Sequence, residues 1–160
     1  MDIQHAANDY EAATLEFLRA LDLIDEENID RHVPGGWSAR QVVHHVADSE
    51  AQSYARLRRL LAEPPGSLIQ GYDEAAWAQC ETLGYQELPI EQSAVVFIAV
   101  RSATLDILRR LKPEDLKRYG EHSESGRYSV AGWLDVYTRH PREHAQQLLE
   151  AINAGLAVTG

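Results

Sequence analysis

Cysteine is almost absent: Cys80 is the single thiol in 160 residues. One thiol cannot close an internal disulfide, so the chain is expected to fold in a reducing compartment. With no second cysteine and no adjacent base, Cys80 reads as a small apolar filler and not as a catalytic thiol. No run of about 18 apolar residues occurs, which argues against a membrane span. The opening stretch MDIQHAANDYEAATLEF carries acids where a secretory leader needs a basic and then an apolar region. A cytoplasmic protein is expected. Positive charge is scarce too, with 15 Lys and Arg against 25 Asp and Glu, for a net charge of −10. Such a surface repels phosphate backbones, and the one basic cluster, RLRRLL (Arg56, Arg58, Arg59), is too small to reverse it. Neither a nucleic-acid nor a membrane partner is expected. Repeats, low-complexity tracts and interdomain linkers are also missing, so residues 1–160 read as one domain around one core.

What remains is helical patterning. Four long segments with apolar spacing near 3.6 are separated by Pro/Gly-rich breaks. The first is predicted from about Asp9 to Leu23, with Leu15, Leu18 and Leu21/Leu23 on one side. After HVPGGW, Ser38 opens a second helix, and Gln41 three residues on completes a capping-box pattern. That helix runs through Val42, Val43, Val46, Tyr54, Leu57, Leu60 and Leu61 until PPG (Pro64–Gly66). A short helix is predicted after Asp73 as N-cap. A third long helix spans roughly residues 90–111 and is ended by Lys112-Pro113. A polar loop, YGEHSESGRYS, leads to Ser129, which caps a fourth helix from Val130 to about Asn153, with Gly155 as the stop. No strand-like alternation competes. The pattern predicts an all-α four-helix bundle, and the long second-to-third connection predicts a crossover.

The histidines carry the chemistry. In YTRHPREHAQQL, His140 and His144 lie about 40° and about 6 Å apart on one helix face. Both fall within the apolar stripe of Val130, Trp133, Leu134, Tyr137, Leu148 and Ile152. An unpaired buried imidazole costs about 1–3 kcal/mol. Two readings are open: each ring finds a tyrosine, carboxylate or carbonyl, or the two share a divalent cation. In VVHHVADSE, His45 sits at the edge of the apolar arc and is the candidate third ligand, while His44 is expected to face solvent. Three histidines from two helices leave coordination positions open, as a catalytic site does. His5 reads as a frayed terminus, His32 as a loop residue, and His122 as a surface loop residue.

His140 to His144 also spells H-x-x-E-H, the inverted zinc-peptidase motif, with Glu143 as the would-be base. That design needs a further acidic ligand far downstream. Only sixteen residues follow His144, and Glu150 is their sole acid. Pro141 further removes the helical hydrogen bond to the Tyr137 carbonyl. The spelling reads as coincidence.

Four blocks in order resemble the DinB/YfiT superfamily of metal-dependent enzymes: PGGWSARQVVHHVADSE, QGYDEAAWAQ, VFIAVRSATLDILRRL and HSESGRYSVAGWLDVYTRHPREH. The resemblance covers the chain from about His32 to its end. It implies a DinB-type bundle, usually dimeric, holding zinc or nickel through His45, His140 and His144 with solvent completing the coordination. It also raises His122, which falls where the family's loop histidine stands. Ser123, where the family often has proline, and Pro141 depart from the pattern. The expected function is a hydrolase acting on a small molecule through the metal and its water. The alternatives are a thiol S-transferase using a low-molecular-weight thiol, a non-catalytic metal-binding stress protein, or a plain bundle with satisfied core histidines. Asp48, one turn after His45, either orients that ligand, serves as a base, or is a solvent-facing acid. Arg101 either binds a carboxylate or pairs with a bundle acid.

Overall fold

In the computed structural model, which describes residues 2–156, five α-helices and three short strands follow one another. They are α1 (Ile3–Leu21), α2 (Ala39–Ala62), β1 (Leu68–Ile69), α3 (Glu74–Gln79), α4 (Glu91–Leu108), β2 (Tyr119–His122), β3 (Gly126–Ser129) and α5 (Val130–Ile152). The four long helices form the bundle. In it α1 lies beside α5 and α4, and α2 beside the same two. Of the long helices consecutive in the chain, α1 and α2, and α4 and α5, therefore sit on diagonals, while α2 and α4, joined by the long connection carrying β1 and α3, lie side by side. Among the described residues no helix is long and apolar enough to cross a membrane.

The caps follow from the sequence. Ser38 Oγ accepts from the Gln41 amide while Gln41 Oε1 accepts from the Ser38 amide. Asp73 and Ser129 cap α3 and α5 through their side chains. Helix α1 starts earlier than its leucines suggest, because Asp2 accepts from the Gln4 and His5 amides. Its buried face is Ala7, Tyr10, Ala13, Phe17 and Ala20, not the leucine side. Leu15 and Leu23 are exposed, and only Leu18 and Leu21 pack against the core.

Strands are a correction to the purely helical expectation. β2 and β3 pair antiparallel within the polar loop, and β1 joins β2 in parallel. Segments of two to four residues are too short to show alternation. Two glycines make the turn and the approach possible. Gly126 adopts φ +74°, and a Cβ on Gly120 would stand 2.6 Å from the Ser67 carbonyl oxygen.

Two apolar clusters fill the bundle. One joins Phe17, Val42, Val43, Val46, Phe97, Leu148 and Ile152; the other joins Tyr10, Leu57, Leu60, Leu108, Val130, Trp133 and Tyr137. On every long helix a polar stretch lies between the two: Thr14 on α1, Ser49, Glu50 and Ser53 on α2, Arg101 and Thr104 on α4, and His140 to His144 on α5. The candidate site belongs to this belt.

Candidate metal centre

The second helix delivers His45 and the fifth delivers His140 and His144, so that one nitrogen of each ring converges on a common point. His45 is 1% exposed and the other two are half-buried. The His144 Nε2 atom lies 3.2 Å from His45 Nε2 and 3.1 Å from His140 Nε2. Nitrogens bound to one ion at 2.0–2.1 Å stand about 2.9 Å apart at a right angle and about 3.3 Å apart at the tetrahedral angle. The two observed spacings fall between those limits.

Proton bookkeeping shows why a cation fits. His144 Nδ1 is 2.7 Å from Gln147 Oε1, an atom that only accepts, so Nδ1 carries the hydrogen and Nε2 its lone pair. His45 and His140 both approach that one lone pair, which cannot take two hydrogens. At least one contact therefore sets lone pair against lone pair. Moving the hydrogens to the Nδ1 atoms of His45 and His140 strands them, because both are buried without a partner among the described residues. An ion turns all three Nε2 lone pairs into ligands and removes the conflict.

Electrostatics favour the same state. Burial, and then the charge of a protonated His144, holds His45 down to about 3. Burial also holds His140 well below the usual imidazole range, with His144, His45, Arg101 and Arg139 acting in the same direction. His144 is lowered by burial, against the opposing effects of Gln147 and Glu143. The trio is neutral at neutral pH, the form a metal requires.

A cleft of about 330 Å³ opens over His45 and His144, lined by Gly35, Gly36, Trp37, Glu74 and Gln147. The Trp37 ring lies 4.9 Å from the His45 ring. Glu74 Oε2 reaches 4.0 Å from His45 Nε2 and its side chain is 52% exposed, so the carboxylate stands at the cleft's edge. Burial raises its pKa, Arg56 opposes that rise and Glu124 adds to it.

The other singled-out residues are elsewhere. Asp48 accepts from the Tyr85 hydroxyl at 2.6 Å and lines a separate cleft of about 300 Å³ with His44 and Tyr85. His122 lies at the end of β2, where its Nδ1 accepts from the Glu124 amide and its ring meets Tyr128 edge-on. Neither is part of the converging group. His44 is not a surface residue. It is 6% exposed, its Nε2 donates to the Leu88 carbonyl, and its Nδ1 pairs with Ser93 Oγ at 2.8 Å. It ties α2 to the start of α4. His32 stays in its loop, against the Val33 carbonyl. Glu143 points outward to Arg139, so the H-x-x-E-H spelling places no carboxylate where the three ring nitrogens converge. Arg101 pairs with the buried Glu50 at 3.1 Å.

Sequence reading missed Glu74, Trp37 and Gln147. Only Gln147 had a local signal, lying three residues after His144 on the same helix face.

Comparison with known proteins adds a family and a fold. The DinB superfamily pattern matches residues 9–148. A protein of Oceanobacillus iheyensis that bears the provisional name of a metal-dependent hydrolase is 36% identical over 124 residues, covering 78% of this chain and 70% of the relative. A Bacillus mycoides protein with the same provisional name is 34% identical over 134 residues, covering 83% and 75%. Among solved structures, Bacillus subtilis YfiT, described as a probable metal-dependent hydrolase with an unusual four-helix bundle topology, superposes with a TM-score of 0.83 at 25% identity. That match covers 94% of this chain and 85% of YfiT. TT2238, a four-helix bundle protein, shares the fold at a TM-score of 0.63 and 20% identity.

Proposed function

The chain belongs to the DinB superfamily, and from that premise we propose that it is a hydrolase of small molecules that works through a divalent ion held by His45, His140 and His144. The observation that carries this reading is the convergence of three neutral imidazoles beneath an open cleft. Three nitrogen ligands suit zinc or nickel and leave positions free. An ion held there supplies Lewis acidity, polarising a substrate carbonyl and acidifying water.

The chain's own residues do the rest. Gln147 fixes the tautomer in which His144 presents Nε2. Glu74, at the cleft's edge beside His45, takes a proton from the attacking water at Oε2 and returns it to the leaving group. Trp37 and the glycines Gly35 and Gly36 form the wall against which the apolar part of a substrate rests. The carbonyl that such an ion would polarise is common to esters and amides, so these are the class expected.

The test combines metal analysis of the purified protein with a panel of ester and amide substrates. Stoichiometric zinc or nickel, lost in His140→Ala together with hydrolysis, supports the reading. Substoichiometric metal in both proteins refutes it. Turnover confined to a thiol-conjugation arm of the same panel replaces hydrolysis with thiol transfer at the same centre.

A further inference from the structure

Pro141 stands between two of the three proposed ligands, in the middle of α5. Proline has no amide hydrogen, so the carbonyl of Tyr137, four residues earlier, loses its helical donor, and the proline ring crowds that carbonyl as well. In this bundle the lost bond is replaced from another helix. Arg101 Nη1 donates to Tyr137 O at 2.6 Å.

The same guanidinium reaches all four long helices. It grows from α4 and donates to Glu50 Oε1 of α2 at 3.1 Å, to Thr14 Oγ1 of α1 at 2.8 Å and to Tyr10 O of α1 at 2.7 Å. It stacks over the Tyr10 ring at 3.3 Å and is 1% exposed. Two of its partners lie on the helices that carry the ligands. Glu50 is five residues after His45 on α2, and Tyr137 is one turn before His140 on α5. A planar fork of donors fixes several acceptors at once, which a point charge on a flexible stem cannot do.

Resting on the metal reading above, we propose that Arg101 is a positioning residue of the centre: by bonding the carbonyl that Pro141 frees and holding it against Glu50, it sets the spacing of α5 from α2 and so of His140 and His144 from His45. Arg101 and Pro141 then work as a pair. The proline leaves the carbonyl to the arginine, and the arginine spares that buried carbonyl from having no donor. Restoring an amide hydrogen at position 141 makes the carbonyl less dependent on Arg101.

The experiment is a double-substitution cycle of Arg101→Lys and Pro141→Ala, read by Co²⁺ titration and the visible spectrum of the Co²⁺ protein. Lysine keeps a positive charge opposite Glu50, so the variant retains its fold, while the planar fork is gone. Arg101→Lys is expected to weaken Co²⁺ binding at least tenfold and to shift the visible bands, as changes to groups that orient ligands do. Pro141→Ala alone leaves both within about threefold. The double variant recovers most of the affinity that Arg101→Lys loses, because the restored amide supplies the missing donor. Equal losses in the two backgrounds, or unchanged bands in Arg101→Lys, overturn the inference while leaving the metal centre standing. A wild-type protein that takes up no Co²⁺ overturns the metal reading first and the role of Arg101 with it. Denaturant unfolding of the four metal-free proteins gives a separate measure of the pair, and additivity there counts against it.

Discussion

Gln147 is expected to govern how tightly the ion is held, although it touches no metal in the arrangement proposed. Its Oε1 accepts the Nδ1 hydrogen of His144 at 2.7 Å. Of the three Nδ1 atoms in the trio, those of His45 and His140 are buried without a partner among the described residues, so this bond is the one that fixes a tautomer. Gln147→Ala removes the acceptor and lets the hydrogen move to Nε2, where it blocks the ligand. Loss of a group that orients a ligating imidazole typically costs 10–100-fold in metal affinity, or about 1.4–2.8 kcal/mol. The stability cost is smaller, about 0.5–1.5 kcal/mol for one hydrogen bond at a half-buried side chain. Competition of metal-loaded protein with a chromophoric chelator measures the first quantity, and the denaturant midpoint of metal-free protein measures the second. A variant that holds zinc as tightly as the parent refutes the tautomer argument. So does an affinity loss no larger than the loss of metal-free stability.

Three more outcomes are expected. Glu74→Gln keeps the metal but lowers the rate of hydrolysis by about 10²–10⁴-fold, the usual contribution of a positioned proton carrier; an unchanged rate removes Glu74 from the reaction. Asp48→Asn, by contrast, leaves metal content and turnover near those of the parent, because Asp48 binds Tyr85 in a different cleft. It costs about 0.5–1.5 kcal/mol of stability in chemical unfolding, because the amide oxygen still accepts from the Tyr85 hydroxyl and only the charge is lost, and a large fall in turnover contradicts that placement. Metal-free protein also loses stability on mild acidification. The folded state holds His45 down to about 3 against 6.5 for a free imidazole, so below pH 6.5 the unfolded chain binds the proton first. Stability is therefore full above about pH 6.5 and declines as the pH falls towards 3, by about 1.4 kcal/mol at pH 5.5 from His45 alone. A denaturant midpoint that does not move between pH 7.5 and 5.5, or moves equally in His45→Phe, removes this source.

The parts of the molecule written in local spacing were readable, and the parts written by packing were not. Ser38 with Gln41, Asp73 and Ser129 announce helix starts because capping acts within three residues. His140 and His144 share a face because a helix turn is close to four residues. His44 was misplaced because α2 packs against both α4 and α5, so residues 42–47 are all buried and no face of that stretch remains for solvent. Glu74 carries no spacing signal towards His45. It stands on a six-residue helix within the crossover connection, and only the path of that connection brings it to the cleft. On α1 the leucines misled, because Ala7, Tyr10, Ala13, Phe17 and Ala20 form the buried face, while Leu15 is exposed and Leu18 and Leu21 are only partly buried.

The polar belt explains why the centre lies where it does. A buried ion pair such as Arg101–Glu50 seldom stabilises a fold more than apolar residues of the same size. Three imidazoles with conflicting protons are worse still, and a fold selected for stability alone would close the belt with leucine and valine, as it does above and below. Five polar residues in and beside the belt instead do something that an apolar side chain cannot. His45, His140 and His144 converge on one point, Gln147 sets a tautomer, and Arg101 gives the Tyr137 carbonyl the donor that Pro141 withholds. The apolar clusters on either side supply rigidity, since close-packed layers move little when a polar group between them pulls. A site with one open side therefore sits at the middle of the bundle, where two rigid layers can hold ligands from two helices within bonding distance of a single ion.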